Sequence, residues 1–231
     1  MRFKNQLWLL IGSLGILASC NTQAQQSDLS VPEFEKAIAQ NDIQVLDVRT
    51  PGEYESGHLK NAMLADWNNE TEFKERVKSL DKNKTVYTYC LSGGRSGAAT
   101  EWLKQNGFNA FNLNGGIIAW KNAGKSMEQT AIVKQIGLPE YFAQIPNDKT
   151  VLVDFSASWC PPCKKMAPVL DSLVKTNGSQ FVLLKIDGAG QTNICKELKI
   201  DGFPTFIIYK QGKETWRKQG IVAGNEFVEK L

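Results

Sequence analysis

The sequence is poor in histidine and cysteine, and it carries little net charge. Its 231 residues include one histidine, His58, and five cysteines. A metal site built from several histidines is therefore excluded, whereas a catalytic triad around His58 stays formally open. Five cysteines are too few for a disulfide-stapled miniprotein. The net charge of +3 is small and mixed, so we expect no nucleic-acid partner.

The chain also lacks an apolar run long enough to span a membrane. Arg2 and Lys4 precede the run "LWLLIGSLGILAS", which is too short for a bilayer core of about 30 Å and is typical of a secretory signal. The tetrad at 17–20 resembles the bacterial lipobox, and this resemblance implies that Cys20 is lipidated and becomes the mature N-terminus. An ordinary signal peptide with an incidental cysteine is the alternative.

This leader predicts where the protein works. Residues 1–20 would be the lipoprotein signal peptide, and the polar residues 21–27 a tether. We therefore expect a membrane-anchored lipoprotein on the extracytoplasmic, periplasmic side. In a Gram-negative organism, Asn21 after the lipidated cysteine would favour the outer membrane.

Two stretches of alternating strand and helix patterns follow the tether. In the first, Ser30 and Glu33 have capping-box spacing at the start of a helix, and "IQVLDV", "TVYTYC" and "FNAFNL" read as strands. In the second, the strand "TVLVDFSAS" precedes a long helix from Cys160 to about Asn177. The composition, 42% hydrophobic and 22% charged, is globular. We expect an α/β protein with two three-layer domains, at 28–126 and 127–231.

The first stretch contains a cysteine at the end of a strand. After Cys90 and Leu91 the chain continues with small residues and one arginine: Ser92, Gly93, Gly94, Arg95 and Ser96. Small residues let backbone N–H groups turn inward, and Ser96 is expected to cap the helix that follows. Such a loop would hold an anion above the sulfur of Cys90. Phosphate and sulfur are both candidates at this point.

Three segments in order resemble the rhodanese family over residues 28–126: "LDVRTPGEYESGHLKNA", "YCLSGGRS" and "NLNGGIIAW". Related phosphatases have five residues between cysteine and arginine, and this chain has four, which favours a persulfide over a phosphate. The resemblance implies that the Cys90 thiolate attacks a small sulfur donor such as thiosulfate and then carries its outer sulfur. It also implies that Arg95 lowers the thiol pKa and holds an anionic donor.

Other residues of this stretch are expected to support the site. Asp47 and Arg49 in "LDVRT" would buttress it, and His58 is interpreted as a structural, hydrogen-bonded residue. The alternative is that Cys90 is a buried small hydrophobe in an inert module, because many rhodanese-like modules do not catalyse a reaction.

The second stretch resembles thioredoxin over residues 130–231. The segment "VDFSASWCPPCKKMAPVL" matches the family's active-site segment at Trp159, Cys160 and Cys163, and "GFPT" matches the loop whose proline, Pro204, is cis. Zinc would require a second CxxC pair, which the chain lacks. "DGAGQT" is interpreted as a loop and not a nucleotide site. We therefore expect neither a metal nor a cofactor.

The spacing of the CxxC pair suits disulfide chemistry, because residues i and i+3 at a helix start lie on one side. Cys160 is expected to be the exposed attacking thiolate near the helix N-terminus, and Cys163 the resolving thiol. The resemblance implies that Asp154 shuttles a proton for Cys163; a strand-end turn residue is the alternative. The two intervening prolines indicate a reductant or a mild isomerase. Cys195 is expected to be buried.

These features leave three hypotheses open. In the first, a thiol–disulfide oxidoreductase is fused to a sulfurtransferase whose Cys90 persulfide is reduced by the CxxC pair. In the second, only the oxidoreductase is active, and the rhodanese-like part binds partners. The third is a non-catalytic, membrane-anchored redox sensor. The expected partners are protein thiols or disulfides, the sulfur donor, a membrane dithiol electron carrier and the lipid anchor at Cys20.

Overall fold

The computed structural model describes residues 27–129 and 133–231, so the predicted signal peptide, the lipobox at Cys20 and nearly all of the tether lie outside the described residues. The described part has two sheets, the first parallel and the second mixed, and each sheet has its own helices. The expected α/β architecture is confirmed. Within the described residues, none of the helices has the length and apolar character needed to cross a bilayer.

The first sheet is built from five parallel strands in the order β1-β5-β4-β2-β3. Its strands and the helices that connect them are β1 (Asp28–Leu29), α1 (Val31–Ile38), β2 (Ile43–Asp47), α2 (Pro51–Glu55), β3 (Met63–Leu64), α3 (Glu70–Val77), β4 (Thr85–Tyr89), α4 (Gly94–Gln105), β5 (Ala110–Leu113) and α5 (Gly116–Asn122). Because all strands are parallel, their carboxyl ends meet at one edge, and Cys90 lies there, directly after β4.

The second sheet has four strands in the order β7-β6-β8-β9, of which β6 and β7 are parallel and the others antiparallel. Its elements are α6 (Leu138–Phe142), β6 (Thr150–Ser156), α7 (Pro161–Asn177), β7 (Phe181–Asp187), α8 (Thr192–Glu197), β8 (Thr205–Lys210), β9 (Lys213–Gln219) and α9 (Gly224–Lys230). The long helix α7 begins directly after Cys160, as the sequence predicts.

Each sheet separates two hydrophobic clusters, because successive strand residues point to opposite faces. In β2, Val45 packs in one cluster and Leu46 in the other. In β6, Val153 and Leu152 divide in the same way. Both domains therefore have three layers, with helices on both sides of the sheet.

Local signals in the sequence are reproduced with one exception. The capping box of Ser30 and Glu33 forms at the start of α1. Ser96, however, is not the cap of α4: Gly93 caps this helix in a left-handed conformation with φ 99°, and Ser96 lies one turn further in. A glycine adopts this conformation without the penalty that a side chain brings, which is why it replaces serine at the cap.

Candidate functional site

The loop formed by residues 90–96, the Cys90 loop, turns its N–H groups toward the sulfur. The Gly93 N–H donates to Cys90 Sγ at 3.1 Å. The Cys90 side chain is almost fully buried and its thiol is free. Burial raises the pKa of this thiol, but the Ser96 side chain and the N–H groups of Ser96, Ser92 and Gly93 outweigh burial and lower it. The loop therefore stabilises a thiolate.

The start of α5 holds the Cys90 loop from behind. The N–H groups of Ile117 and Ile118 donate to the carbonyls of Cys90 and Leu91 at 2.9 and 3.1 Å. A Cβ atom on Gly116 would lie 2.6 Å from the Cys90 carbonyl oxygen, and Gly116 has φ 58°. Only glycine allows this approach. Gly116 is a supporting residue that sequence reasoning did not single out.

Arg95 is ion-paired and does not act as a free cation beside the sulfur. Its two terminal nitrogens donate to the two carboxylate oxygens of Glu53 at 2.9 and 2.6 Å. This pair lowers the pKa of Glu53 to about 2. The largest causes that lower the pKa of Cys90 are the serine and backbone donors, and Arg95 attracts the thiolate in addition, because the Cys90 thiolate in turn raises the pKa of Arg95. Glu53 had not been identified from the sequence, because it lies 42 residues from Arg95.

Asp47 and Arg49 form a buried pair behind the Cys90 loop. Arg49 donates to both carboxylate oxygens of Asp47 and to the Gly57 carbonyl at 2.8 Å. The guanidinium lies 5.5 Å from the ring centroid of Tyr89, the residue before Cys90. This position fits the buttress expected for the pair, because Arg49 packs on Tyr89 at the end of β4.

Three further residues of this domain were singled out from the sequence: Ser92, Gly94 and His58. Ser92 and Gly94 are exposed at the rim of the Cys90 loop. His58 is buried, its Nδ1–H donates to the Tyr54 carbonyl at 3.1 Å, and its ring stacks on the Tyr54 ring. The structural interpretation of His58 is therefore confirmed.

In the second domain, Cys160 and Cys163 form a disulfide with an S–S distance of 2.11 Å. Cys160 is the N-cap of α7, and its sulfur accepts the Cys163 N–H at 3.2 Å. The peptide bond between Phe203 and Pro204 is cis. The pair has the geometry of a redox-active CxxC at a helix N-terminus.

A buried carboxylate lies on the strand that leads to this pair. Asp154 in β6 is 5% exposed, and its Oδ1 finds no hydrogen-bond partner among the described residues. Burial raises its pKa to about 6, although the Ser156 hydroxyl and Lys185 act in the opposite direction. A carboxyl group that titrates near neutral pH can take up and release a proton, which the predicted shuttle role requires.

Cys160 is not exposed, contrary to expectation. Its exposed fraction is 0%, compared with 8% for Cys163. The reason is that Cys160 packs in a cluster with Ala157, Cys163 and Phe203 of its own domain. The first domain packs against the adjacent Trp159. The Leu64 N–H donates to the Trp159 carbonyl at 2.9 Å, the Arg76 guanidinium lies 4.6 Å from the Trp159 ring centroid, and the Tyr54 ring packs edge-on at 6.2 Å. We call this set of interactions the Trp159 contact.

The Trp159 contact brings both cysteine sites to one edge of the first sheet. Leu64 ends β3, and β3 is separated from β4 only by β2. Strands lie about 4.8 Å apart, so Leu64 and the Cys90 loop are separated by two spacings, about 10 Å. Cys195, in contrast, lies in the second domain, in the hydrophobic cluster that contains Val153. It is buried, and burial raises the pKa of its thiol to about 11. The expected burial of Cys195 is confirmed.

Comparison with known proteins agrees with both resemblances. The family model "Rhodanese-like domain" matches residues 30–123, and the family model "Thioredoxin" matches residues 132–231. A thioredoxin of Echinococcus granulosus is 34% identical over 100 residues, 43% of this chain and 90% of that protein. The chain therefore belongs to the thioredoxin family, and a rhodanese-like domain precedes its thioredoxin domain.

Other similar proteins cover smaller shares. Thioredoxin Y, chloroplastic, from Oryza sativa subsp. japonica is 38% identical over 85 residues, so the chain spans about half, 51%, of its length. The tRNA uridine(34) hydroxylase of Cytophaga hutchinsonii is 37% identical over 102 residues, 43% of this chain and 33% of that protein. Among solved structures, a rhodanese-like domain protein from Staphylococcus aureus is 30% identical and covers 46% of this chain and 100% of its own, with a TM-score of 0.40.

Proposed function

We propose that this protein is an extracytoplasmic thiol–disulfide oxidoreductase fused to a sulfurtransferase, in which the CxxC pair reduces a persulfide carried on Cys90. The observation that carries the proposal is the Trp159 contact, which brings the CxxC pair to the sheet edge where Cys90 lies. The chain tethers both sulfur sites and so holds them at a high effective concentration, and a movement of the domains would bring the two sulfurs together.

The oxidoreductase half uses the reduced CxxC pair. The Cys160 thiolate attacks a disulfide of a client protein, one client sulfur leaves as a thiolate, and a mixed disulfide forms. Asp154 then accepts the proton of Cys163, whose thiolate attacks Cys160 Sγ and releases the second client thiol. The electrons come from the Cys160 and Cys163 thiols, which end as the disulfide. Reduction of insulin, with dithiothreitol as the electron source, tests this half.

The sulfurtransferase half uses the Cys90 thiolate. It attacks the outer sulfur of a small donor such as thiosulfate; the sulfur–sulfur bond of the donor breaks, and sulfite leaves with the electron pair. The new persulfide stays in the loop, where the N–H groups of Ser92, Gly93 and Ser96 neutralise its charge. Transfer of sulfur from thiosulfate to cyanide by the purified protein tests this half.

The two halves meet when Cys160 attacks the outer sulfur of the Cys90 persulfide. The sulfur moves to Cys160, the Cys90 thiolate is restored, and Cys163 then attacks Cys160 Sγ. Hydrosulfide leaves, and the Cys160–Cys163 disulfide forms, so the dithiol supplies the two electrons that reduce the transferred sulfur. A membrane dithiol carrier would restore the dithiol.

Sulfide release from protein loaded with sulfur on Cys90 tests this coupling. We expect release from the reduced wild-type chain and none from Cys160→Ser. Cys195→Ser is the matched control, because this buried cysteine lies in the other core. Sulfide release that is unchanged in Cys160→Ser would overturn the coupling.

A second candidate is favoured by the same contact. The rhodanese-like domain contacts Trp159, next to Cys160, which is what a module that only binds and positions the thioredoxin domain would do. In that case insulin reduction would be retained, and sulfur transfer from thiosulfate to cyanide would be absent. The two assays together separate the candidates.

We further propose that the mature chain is anchored to the membrane through lipid on Cys20, with protein thiols or disulfides as clients. The leader motif supports this proposal. Expression with a labelled fatty acid tests it: the wild-type chain would carry label and fractionate with membranes, and Cys20→Ser would do neither. A labelled Cys20→Ser chain would contradict the assignment.

A further inference from the structure

The carboxylate that pairs with Arg95 is held in place by its own helix. Glu53 accepts hydrogen bonds from the N–H and hydroxyl of Thr50 at 3.1 and 3.0 Å, which makes it part of the capping box of α2. The two terminal nitrogens of Arg95 donate to this carboxylate, whose position is already fixed by Thr50. The arginine charge beside the Cys90 loop is therefore compensated before any donor arrives.

The surroundings of the loop add negative charge. Asp66 is buried, and its charge acts to raise the pKa of Arg95, as the Cys90 thiolate does, and acts in the same direction on Arg76. Arg76 is also paired with Glu72, and Arg49 is paired with Asp47. Two cations, Arg95 and Arg76, thus meet three carboxylates, those of Glu53, Glu72 and Asp66, so the balance is negative before the thiolate is counted.

We propose that Glu53 selects the sulfur donor of Cys90, disfavouring dianions such as thiosulfate and favouring donors with a single negative charge, organic persulfides above all. This inference rests on the proposed sulfurtransferase function. A dianion approaching the loop is repelled about twice as strongly as a monoanion by the same carboxylates. Glu53 acts through Arg95 and does not touch the donor, so it is a positioning residue.

Sulfur transfer to Cys90 follows the same course from a persulfide as from thiosulfate. With a persulfide, the Cys90 thiolate attacks the outer sulfur, the sulfur–sulfur bond of the donor breaks, and the organic thiolate leaves with the electron pair and takes a proton from water. Cys90 becomes a persulfide. No external oxidant or reductant is needed, because one sulfur–sulfur bond replaces another.

Two donors that differ in charge test the inference: thiosulfate, a dianion, and methanethiosulfonate, a monoanion that leaves as sulfinate. Loading of Cys90 is followed by the mass of its peptide, in protein whose CxxC pair is oxidised. Intrinsic donor reactivity cancels when each variant is compared by its ratio of the two loading rates. We expect Glu53→Gln to shift this ratio toward thiosulfate by about fivefold at low salt.

Glu33→Gln is the matched control, because Glu33 occupies the same capping-box position in α1 but has no arginine partner among its contacts. This control should leave the ratio unchanged. If Glu53→Gln does not fold, the salt dependence of the wild-type chain decides: a site with excess negative charge becomes relatively faster with thiosulfate as salt rises. A free cation at the site would give the opposite trend.

The outcomes separate this inference from the proposed function. A ratio that does not change in Glu53→Gln, while Cys90 still loads, overturns the donor selection and leaves the sulfurtransferase intact. Failure of both donors to load Cys90 in every variant overturns the sulfurtransferase itself, and the selection with it.

Discussion

In both cysteine sites, the sulfur accepts a hydrogen bond from the backbone N–H of the residue three positions later. The two sites differ in which residue occupies that position. Cys90 Sγ accepts the N–H of Gly93, and Cys160 Sγ accepts the N–H of Cys163, at 3.1 and 3.2 Å. In the first site that position is a glycine, so the sulfur stays single and free. In the second it is a cysteine, so the sulfurs join. The same backbone hydrogen bond to sulfur is therefore found beside a single free thiol in one domain and beside a disulfide in the other.

The two sites also differ in what surrounds them. The first is enclosed by its own domain, through α5 and the Glu53–Arg95 pair. In the second, Cys160 packs with residues of its own domain, and the other domain contacts the adjacent Trp159. We therefore expect the reactivity of Cys90 to depend on its loop, and access to Cys160 to depend also on the domain that contacts Trp159. Substitutions that affect one of the two cysteine sites and not the other test this difference.

Gly116→Ala is expected to have the largest effect, and only on the Cys90 site. The new Cβ would lie 2.6 Å from the Cys90 carbonyl oxygen at a residue with φ 58°. We expect destabilisation of about 2 kcal/mol or more and loss of Cys90 loading. Denaturant unfolding and peptide mass measure both. Gly52→Ala is the control, because nothing lies within 4 Å of its added Cβ; equal effects of the two substitutions would contradict the support role of Gly116.

Asp154→Asn is expected to slow the CxxC site and to stabilise the fold above neutral pH. The pKa of Asp154 is raised from 3.8 to about 6, so the folded chain holds this proton more tightly than the unfolded chain does. Stability from this group is complete below about pH 4 and decreases as pH rises to about 6. Asn removes this penalty, so we expect a gain of about 1–3 kcal/mol at about pH 8 and none at about pH 4.

Activity of the same variant should change in the opposite direction. Without a proton acceptor for Cys163, insulin reduction at neutral pH is expected to fall by about tenfold or more, and its pH dependence near 6 should vanish. Ser156→Ala, which removes the hydroxyl that bonds Asp154, is a milder comparison. A variant with the wild-type pH profile would exclude Asp154 as the proton shuttle.

Ser96→Ala is expected to weaken the thiolate of Cys90 and leave the CxxC site unaffected. The Ser96 side chain lowers the pKa of Cys90, so its removal raises that pKa and reduces the ionised fraction at neutral pH. We expect alkylation of Cys90 at neutral pH to slow by about three- to tenfold. At alkaline pH, where the thiol is ionised in both chains, the alkylation rate of the variant should equal that of the wild-type chain. An unshifted profile would show that the backbone donors suffice.

Arg76→Ala is expected to have the smallest effect, on access to the disulfide. The guanidinium covers the Trp159 ring and donates to the Leu64 carbonyl at 2.9 Å. Its loss weakens the Trp159 contact, so reduction of Cys160–Cys163 by a phosphine should accelerate by about two- to fivefold. Arg217→Ala, whose arginine pairs with Glu214, is the control. Equal rates in both variants would mean that the contact does not limit access.

Sequence reasoning placed the cysteines of both sites on their elements, because each cysteine motif is local. Cys90 at a strand end and Cys160 at a helix start follow from patterns within a few residues. The Glu53–Arg95 pair joins residues 42 positions apart, and the burial of Cys160 depends on residues as far along the chain as Phe203. Neither leaves a local pattern. The prediction that Ser96 caps α4 was wrong for a different reason. The N-cap position of this helix has a positive φ, which favours a glycine, Gly93, over a serine.

The most direct test of the account is the concentration dependence of sulfide release in a single turnover. Protein with a persulfide on Cys90 and a reduced CxxC pair is mixed at several concentrations, and sulfide and the Cys160–Cys163 disulfide are measured together. If the two sites react within one chain, they form in equal amounts with a first-order rate constant that does not change with protein concentration. A rate constant that rises in proportion to concentration would contradict the account.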